Sequence, residues 1–259
     1  MANFVAIKAD KHQNLKVSQK RNLAHVANQH IITITAAEYA QASASFPIVL
    51  VKNPDSPRYR SVAMLGLEAG ENLYYNDDKW SALFVPQSIA MAPFSLGLDP
   101  DKEKTLTACV DVDSEFVGED KDLALFETEG KESELLTNVQ NSLGRLYENE
   151  KMTENFIKEL EDNDLLQELE LKIDLSSGEK KKLTGLFTIN EDKVKSLADD
   201  KVLDFHKRGL FVPIYAMLGS LGQMNRLVQL RNLTGKNKIA GIQIAPLAKQ
   251  EVKEEVTES

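Results

Sequence analysis

Hydrophobic positions change their spacing about halfway along this chain. Up to about Glu129 they come in short runs, β-branched or aromatic-rich and separated by turn residues, at 31–34, 47–51, 62–67, 72–75 and 105–112. Runs of that length and content predict strands. One helix interrupts them. Thr35-Ala-Ala-Glu38 has capping-box spacing, in which hydroxyl and carboxylate each satisfy an orphan amide at a helix start, and Pro47 ends the helix after about Ser45. Residues 53–57 and 98–101 carry turn chemistry.

Beyond about residue 130 the spacing becomes helical. Leu135, Leu136, Val139, Leu143, Leu146 and Tyr147, then Met152, Phe156, Ile157 and Leu160, predict one amphipathic helix or a pair over 132–162. Strands at 169–175 and 182–189 flank Ser176-Ser-Gly-Glu179 as a hairpin. Asn190 caps a short helix through Leu197, and helix resumes at 202–206 and, after Gly209, at 212–233, where Gly235 supplies the stop. The predicted class is α+β: a strand-rich N-terminal half and a largely helical C-terminal half with an added β-hairpin. Gly and Pro nowhere concentrate into a linker, so one domain over 1–248 is expected, with sub-halves 1–129 and 130–248. Residues 249–259 are polar and aperiodic and read as a disordered tail.

Charge sharpens this picture. The 259 residues carry a net charge of −9, which argues against a general nucleic-acid binder. The excess is local: 115–164 holds 15 acidic residues against 5 basic ones, whereas 201–238 holds seven basic residues against Asp204 alone. The plainer reading is two solvated helices that pair or face water; the sharper one is a basic face for an anionic ligand or acidic partner. The N-terminus lacks the pattern of a secretory signal and no apolar run approaches a membrane span, so a cytoplasmic protein is expected.

Candidate chemistry is sparse. Asp111-Val112-Asp113, after an apolar strand, has the D-x-D form of haloacid-dehalogenase-type phosphatases and raises the alternative of a metal-dependent enzyme working with His206. Ser114 and Glu115 depart from that motif, and an acidic strand end is the plainer reading. The four histidines show no HxH, HxxxH or HExxH spacing, and neither G-x-G-x-x-G nor a P-loop occurs. Cys109 alone excludes an intramolecular disulfide and CxxC chemistry. No cofactor is expected. Tyr74, Tyr75, Trp80, Phe84 and Phe94 either line a pocket or pack a core. Arg208, Arg226 and Arg231 suggest a third option, a regulatory domain that senses a small anion.

Several stretches together resemble the SapC family of Gram-negative bacteria. They are Phe46-Pro-Ile-Val-Leu-Val51, Leu65-Gly-Leu67, Glu71-Asn-Leu-Tyr74, Trp80, Phe84-Val-Pro86, Pro93-Phe94, Cys109-Val-Asp111, Leu183-Thr-Gly-Leu-Phe187, Asn190-Glu-Asp-Lys193, His206 to Gly209 and Tyr215-Ala-Met-Leu-Gly-Ser-Leu221. The resemblance covers about residues 12 to 230. Where the family tends to carry Arg-Arg-Tyr before Pro-Phe, this chain has Ala90, Met91 and Ala92. The resemblance implies a non-enzymatic accessory protein with a protein partner, linked by the family name to S-layer or envelope protein handling. It supplies no catalytic residues. Candidate contacts are Tyr74, Trp80, Phe84, Phe94, Asp111, Asp113, His206, Arg208, Tyr215 and Arg226.

Overall fold

Strands from both ends of the chain meet in one sheet. The structure, a computed structural model, describes residues 2–52, 58–235 and 237–247. Its principal strands are β1 (Phe4–Ala6), β2 (Ile31–Thr33), β3 (Ile48–Lys52), β4 (Tyr59–Met64), β5 (Phe94–Leu98), β6 (Leu106–Asp111), β7 (Leu166–Leu175), β8 (Lys180–Ile189) and β9 (Ile239–Pro246). The longer helices are α1 (Glu134–Asp162), α2 (Asp199–Lys207), α3 (Phe211–Ser220) and α4 (Met224–Leu233). The larger sheet runs β9-β7-β8-β3-β4-β2, each pair antiparallel. A smaller sheet runs β1-β6-β5. The class is α+β, as the hydrophobic spacing implies.

The seam between β8 and β3 is narrow: among the described residues only Leu186↔Val51 and Phe187↔Leu50 are in register. Gly185, at φ 77, bends β8 just before it, and Glu168 accepts the Gly185 amide at 2.9 Å. Side chains reinforce the seam. Tyr59 meets Phe187 edge-to-face with centroids 4.8 Å apart, and Lys52 lies over both rings. From the helical layer, the fully buried Ser220 hydroxyl accepts the Ile48 amide at 2.9 Å and donates to the Met217 carbonyl at 2.6 Å.

Two hydrophobic clusters fill the interior, and α1 joins them. It begins at Ser133, whose hydroxyl accepts the Leu136 amide, and runs unbroken for 29 residues. Leu136, Val139 and Leu143 pack beside Phe94 and Val110, whereas Phe156, Ile157 and Leu160 enter the cluster under the large sheet. Between these groups Thr153 accepts the Ala36 amide at 2.8 Å, which fixes α1 to the turn that opens with the capping box. Glu38 is buried there. One of its carboxylate oxygens accepts from the Thr35 amide and hydroxyl, and the other from the Gln87 amide.

Several elements differ from the sequence reading for identifiable reasons. The strand expected over 62–67 is Tyr59–Met64, because the Leu65 and Gly66 amides both turn to the His30 carbonyl. Only Tyr75 of the strand expected over 72–75 is extended: the Asn72 side chain accepts the Tyr74 and Tyr75 amides and forms a turn. The helix after Thr35 is a 3-10 turn followed by Tyr39–Ala42, shorter than expected. A 3-10 turn at Leu221–Gln223 divides the helix expected over 212–233. β1, β5 and β9 are additional. The turn expected at 53–57 and the tail expected at 249–259 lie outside the described residues.

Ser220→Ala leaves the buried Ile48 amide without its acceptor. We expect a loss of about 1–3 kcal/mol in urea unfolding, whereas a deletion of the Ser196 hydroxyl, which is exposed, costs under about 0.5 kcal/mol.

Candidate functional site

The structure disperses the residues that the sequence singles out. Tyr74 is a core residue: its ring meets Phe46 at 4.8 Å, its hydroxyl donates to the Ser45 carbonyl at 2.5 Å, and burial pushes its phenol well up. Phe94 sits in the smaller cluster. Asp111 accepts the Asn3 amide at 2.7 Å and Asp113 lies 3.5 Å from the Asn3 side-chain nitrogen, so this acidic strand end holds the N-terminal segment. Among the described residues no group of three or more His, Cys, Asp or Glu is placed to hold a metal ion. His206 is exposed in the last turn of α2, on an element separate from Asp111 and Asp113. Tyr215 stacks on Phe211 at 5.9 Å and is 55% exposed.

The three arginines of the anion-sensing alternative also separate. Arg208 is taken up by Glu159 of α1 at 2.7 Å and Asp204 at 3.0 Å, so part of the basic segment neutralises the acidic one. Arg231 is 5% exposed and bonds both Glu71 and, at 3.5 Å, Glu68, which Lys181 of β8 also reaches at 2.8 Å. This buried network ties the 65–74 segment to α4 and to the hairpin. Arg226 is exposed on α4.

What the structure does bring together is an aromatic cleft. Tyr75–Asn76 and Lys79–Trp80 form a two-residue hairpin whose turn residues Asp77 and Asp78 have φ 49 and 59, the backbone that Asn and Asp tolerate best among non-glycine residues. The hairpin sets Tyr75 directly opposite Trp80. The indole N–H donates to the Phe84 carbonyl at 2.9 Å, and its ring lies 6.0 Å from both Phe46 and Tyr74, so the core fixes its angle. Beside it opens a cavity of about 480 Å³, lined by Arg21, His25, Tyr75, Asp78, Trp80 and Phe116 and floored in part by Ala90 and Ala92.

The electrostatics of this cleft are uneven. Arg21 donates to the Ala92 carbonyl at 2.8 Å, and this is its one hydrogen bond among the described residues; no carboxylate pairs with it there. Partial burial lowers its pKa but leaves it charged, and burial also lowers that of His25. On the opposite wall the Tyr75 hydroxyl donates to Asp78 at 2.9 Å. Leu83 and Val85, 95% and 37% exposed, follow Trp80 on the next segment. The cleft thus offers aromatic walls, an uncompensated guanidinium and an apolar neighbourhood, a set suited to a carboxylate borne beside an apolar group. Nothing in the sequence pattern marks Arg21, which sits in a polar run between predicted elements. Its cation enters the cleft at Ala90 and Ala92, the segment where the family resemblance leads one to expect arginines.

A larger hollow of about 630 Å³ lies over β5 and β6, with Lys8, Lys11, His12 and Cys109 in its lining. Lys8 is already bonded to Asp101, and burial raises the Cys109 thiol, which makes it a poor nucleophile.

An α+β protein with an aromatic surface cleft is the class that this arrangement defines. The chain belongs to the SapC family: the SapC family model matches residues 7–227. No curated protein and no solved structure matches it. Among the segments that carry the resemblance, 46–50, 65–67 and 93–94 are buried while 206–209 is exposed, and Glu71, Tyr74 and Ser220 make structural bonds. No helix among the described residues is long and apolar enough to cross a membrane.

Two outcomes follow from the Arg231 network. Arg231→Ala strands Glu71 in a half-buried site, and we expect denaturant unfolding to show a loss of about 3–5 kcal/mol. The hydrogen bond from Lys181, then the charge of Arg231, hold the Glu68 carboxyl below its ordinary value of 4.5. A depressed carboxylate adds stability above its unfolded pKa and loses it as pH falls through the folded one. Thermal melts between pH 6 and 3 should therefore drop more steeply for the native chain than for Glu68→Gln.

Proposed function

We propose that this protein acts by binding rather than by catalysis, as a cytoplasmic accessory protein in S-layer or envelope protein handling. Its aromatic cleft seats a segment of a partner protein that carries a carboxylate next to an apolar side chain. The observation that carries this reading is Arg21, a guanidinium without a carboxylate partner among the described residues, facing the Tyr75–Trp80 pair. Exposed Leu83 and Val85 extend the contact surface beyond the cavity itself. Aromatic and arginine side chains that become buried in an interface carry a disproportionate share of its energy.

Trp80 is the single tryptophan of the chain, so its fluorescence reports the cleft directly. Short apolar peptides ending in a free carboxylate should shift its emission in a saturable way, and their C-terminal amides should bind at least about tenfold more weakly. Arg21→Gln should erase that difference without lowering the melting temperature. Equal binding of acid and amide, or no spectral response to either, would sink the assignment of the cleft.

A further inference from the structure

The two edges of the large sheet are treated differently. β2 has three residues, the Ser88 hydroxyl donates to its Thr33 carbonyl at 2.7 Å, and the short helix Gln87–Ala90 lies against it. β9 has eight residues, Ile239-Ala-Gly-Ile-Gln-Ile-Ala-Pro246, and among the described residues pairs on one side only, with β7. Asn232 takes up the amide and carbonyl of Ile239. From Ala240 to Ala245 the groups that point away from β7 meet no described residue. A strand in a sheet turns alternate amides and carbonyls outward, and edges of this length are normally blunted by charge, proline or a covering element. Between Ile239 and Ala245 there is no charge and no proline.

We propose that two copies of this chain associate through β9, antiparallel about a two-fold axis near Ile242, so that their large sheets become continuous. Self-pairing about a two-fold sets the same short segment against itself, so an edge of one charge sign would repel its copy; this neutral one does not. The register follows from the sheet. Ile242 and Ile244 pack inward against the core, which leaves Gly241 and Gln243 on the outer face. Gly241 stands opposite Asp174 and Gln243 opposite Lys172. An axis at Ile242 sets Gly241 of one copy against Gln243 of the other and brings Asp174 and Lys172 of the two copies into the same cross-sheet row, opposite in sign. A Cβ at Gly241 would approach no closer than 3.8 Å to Asp174, so the position accepts a side chain.

Sedimentation velocity on the full chain provides the test, with hydrogen exchange locating the contact. A dimer should form below about 0.1 mM, with amide protection within 240–245 that rises with protein concentration. The double variant Gly241→Glu/Gln243→Glu places like charges directly opposite each other and should weaken association at least about tenfold at unchanged melting temperature. Gly241→Lys/Gln243→Glu places opposite charges there and should restore it. Leu83→Asp, on the apolar surface beside the aromatic cleft, should leave association unchanged, which separates this surface from that one. A chain that stays monomeric at about 0.1 mM, or a dimer indifferent to both double variants, would overturn the proposal.

Discussion

Everything in this fold depends on closing a sheet whose two parts share, among the described residues, only two residue pairs. Leu50 and Val51 meet Phe187 and Leu186, and backbone hydrogen bonding over so short a span is a weak join. The surrounding side chains compensate. Tyr59 and Phe187 pack across it, Ser220 holds the first residue of β3 from the helical layer, and Arg231 draws Glu68 and Glu71 toward α4. Gly66 belongs to the same constraint: a Cβ there would lie 2.3 Å from the Glu71 carbonyl oxygen, so only glycine lets the segment fold back tightly enough to present Glu71 to Arg231.

This explains which parts of the molecule are legible in the sequence. α1 is plain because its apolar stripe keeps helical period for eight turns, although the pattern cannot reveal that the stripe's two ends serve different cores. The β7–β8 hairpin is plain because Ser177 and Gly178 mark its turn. β9 is hidden because its pairing with β7 shifts between Asp174 and Leu175, and that irregularity breaks the two-residue alternation that would have marked a strand. β5 is hidden because Gly97 and Ser95 dilute its apolar content, and Gly97 is required where the Cys109 sulfur approaches within 2.7 Å of the place a Cβ would take.

The candidate site was less legible than the fold, for a physical reason. Aromatic residues clustered near 72–94 do converge, yet Tyr74 turns inward to the core while Tyr75, one position on, turns to the cleft. A strand-like alternation of faces separates the two, and the aromatic cluster in the sequence holds both. The charge asymmetry was visible, and its resolution is mundane: Arg208 reaches Glu159, so the basic and acidic helices partly neutralise each other. The cation of the cleft, Arg21, comes from the N-terminal segment, far in sequence from the aromatic residues that line the same cavity. Convergence of this kind is a product of tertiary structure, with no spacing to betray it.

The narrow seam also bears on how the chain reaches this structure. Leu50 and Phe187 are about 140 residues apart, so the loop that must close before they pair is long, and its entropy is lost before the contact returns anything. The β7–β8 hairpin and α1 are local and can form early; the join between β3 and β8 must come late. Until it does, β3 and β8 each expose an apolar strand edge, Ile48-Val-Leu-Val51 and Leu186-Phe-Thr-Ile189. Slow refolding from denaturant and a concentration-dependent loss to aggregation are the kinetic signature of such a topology.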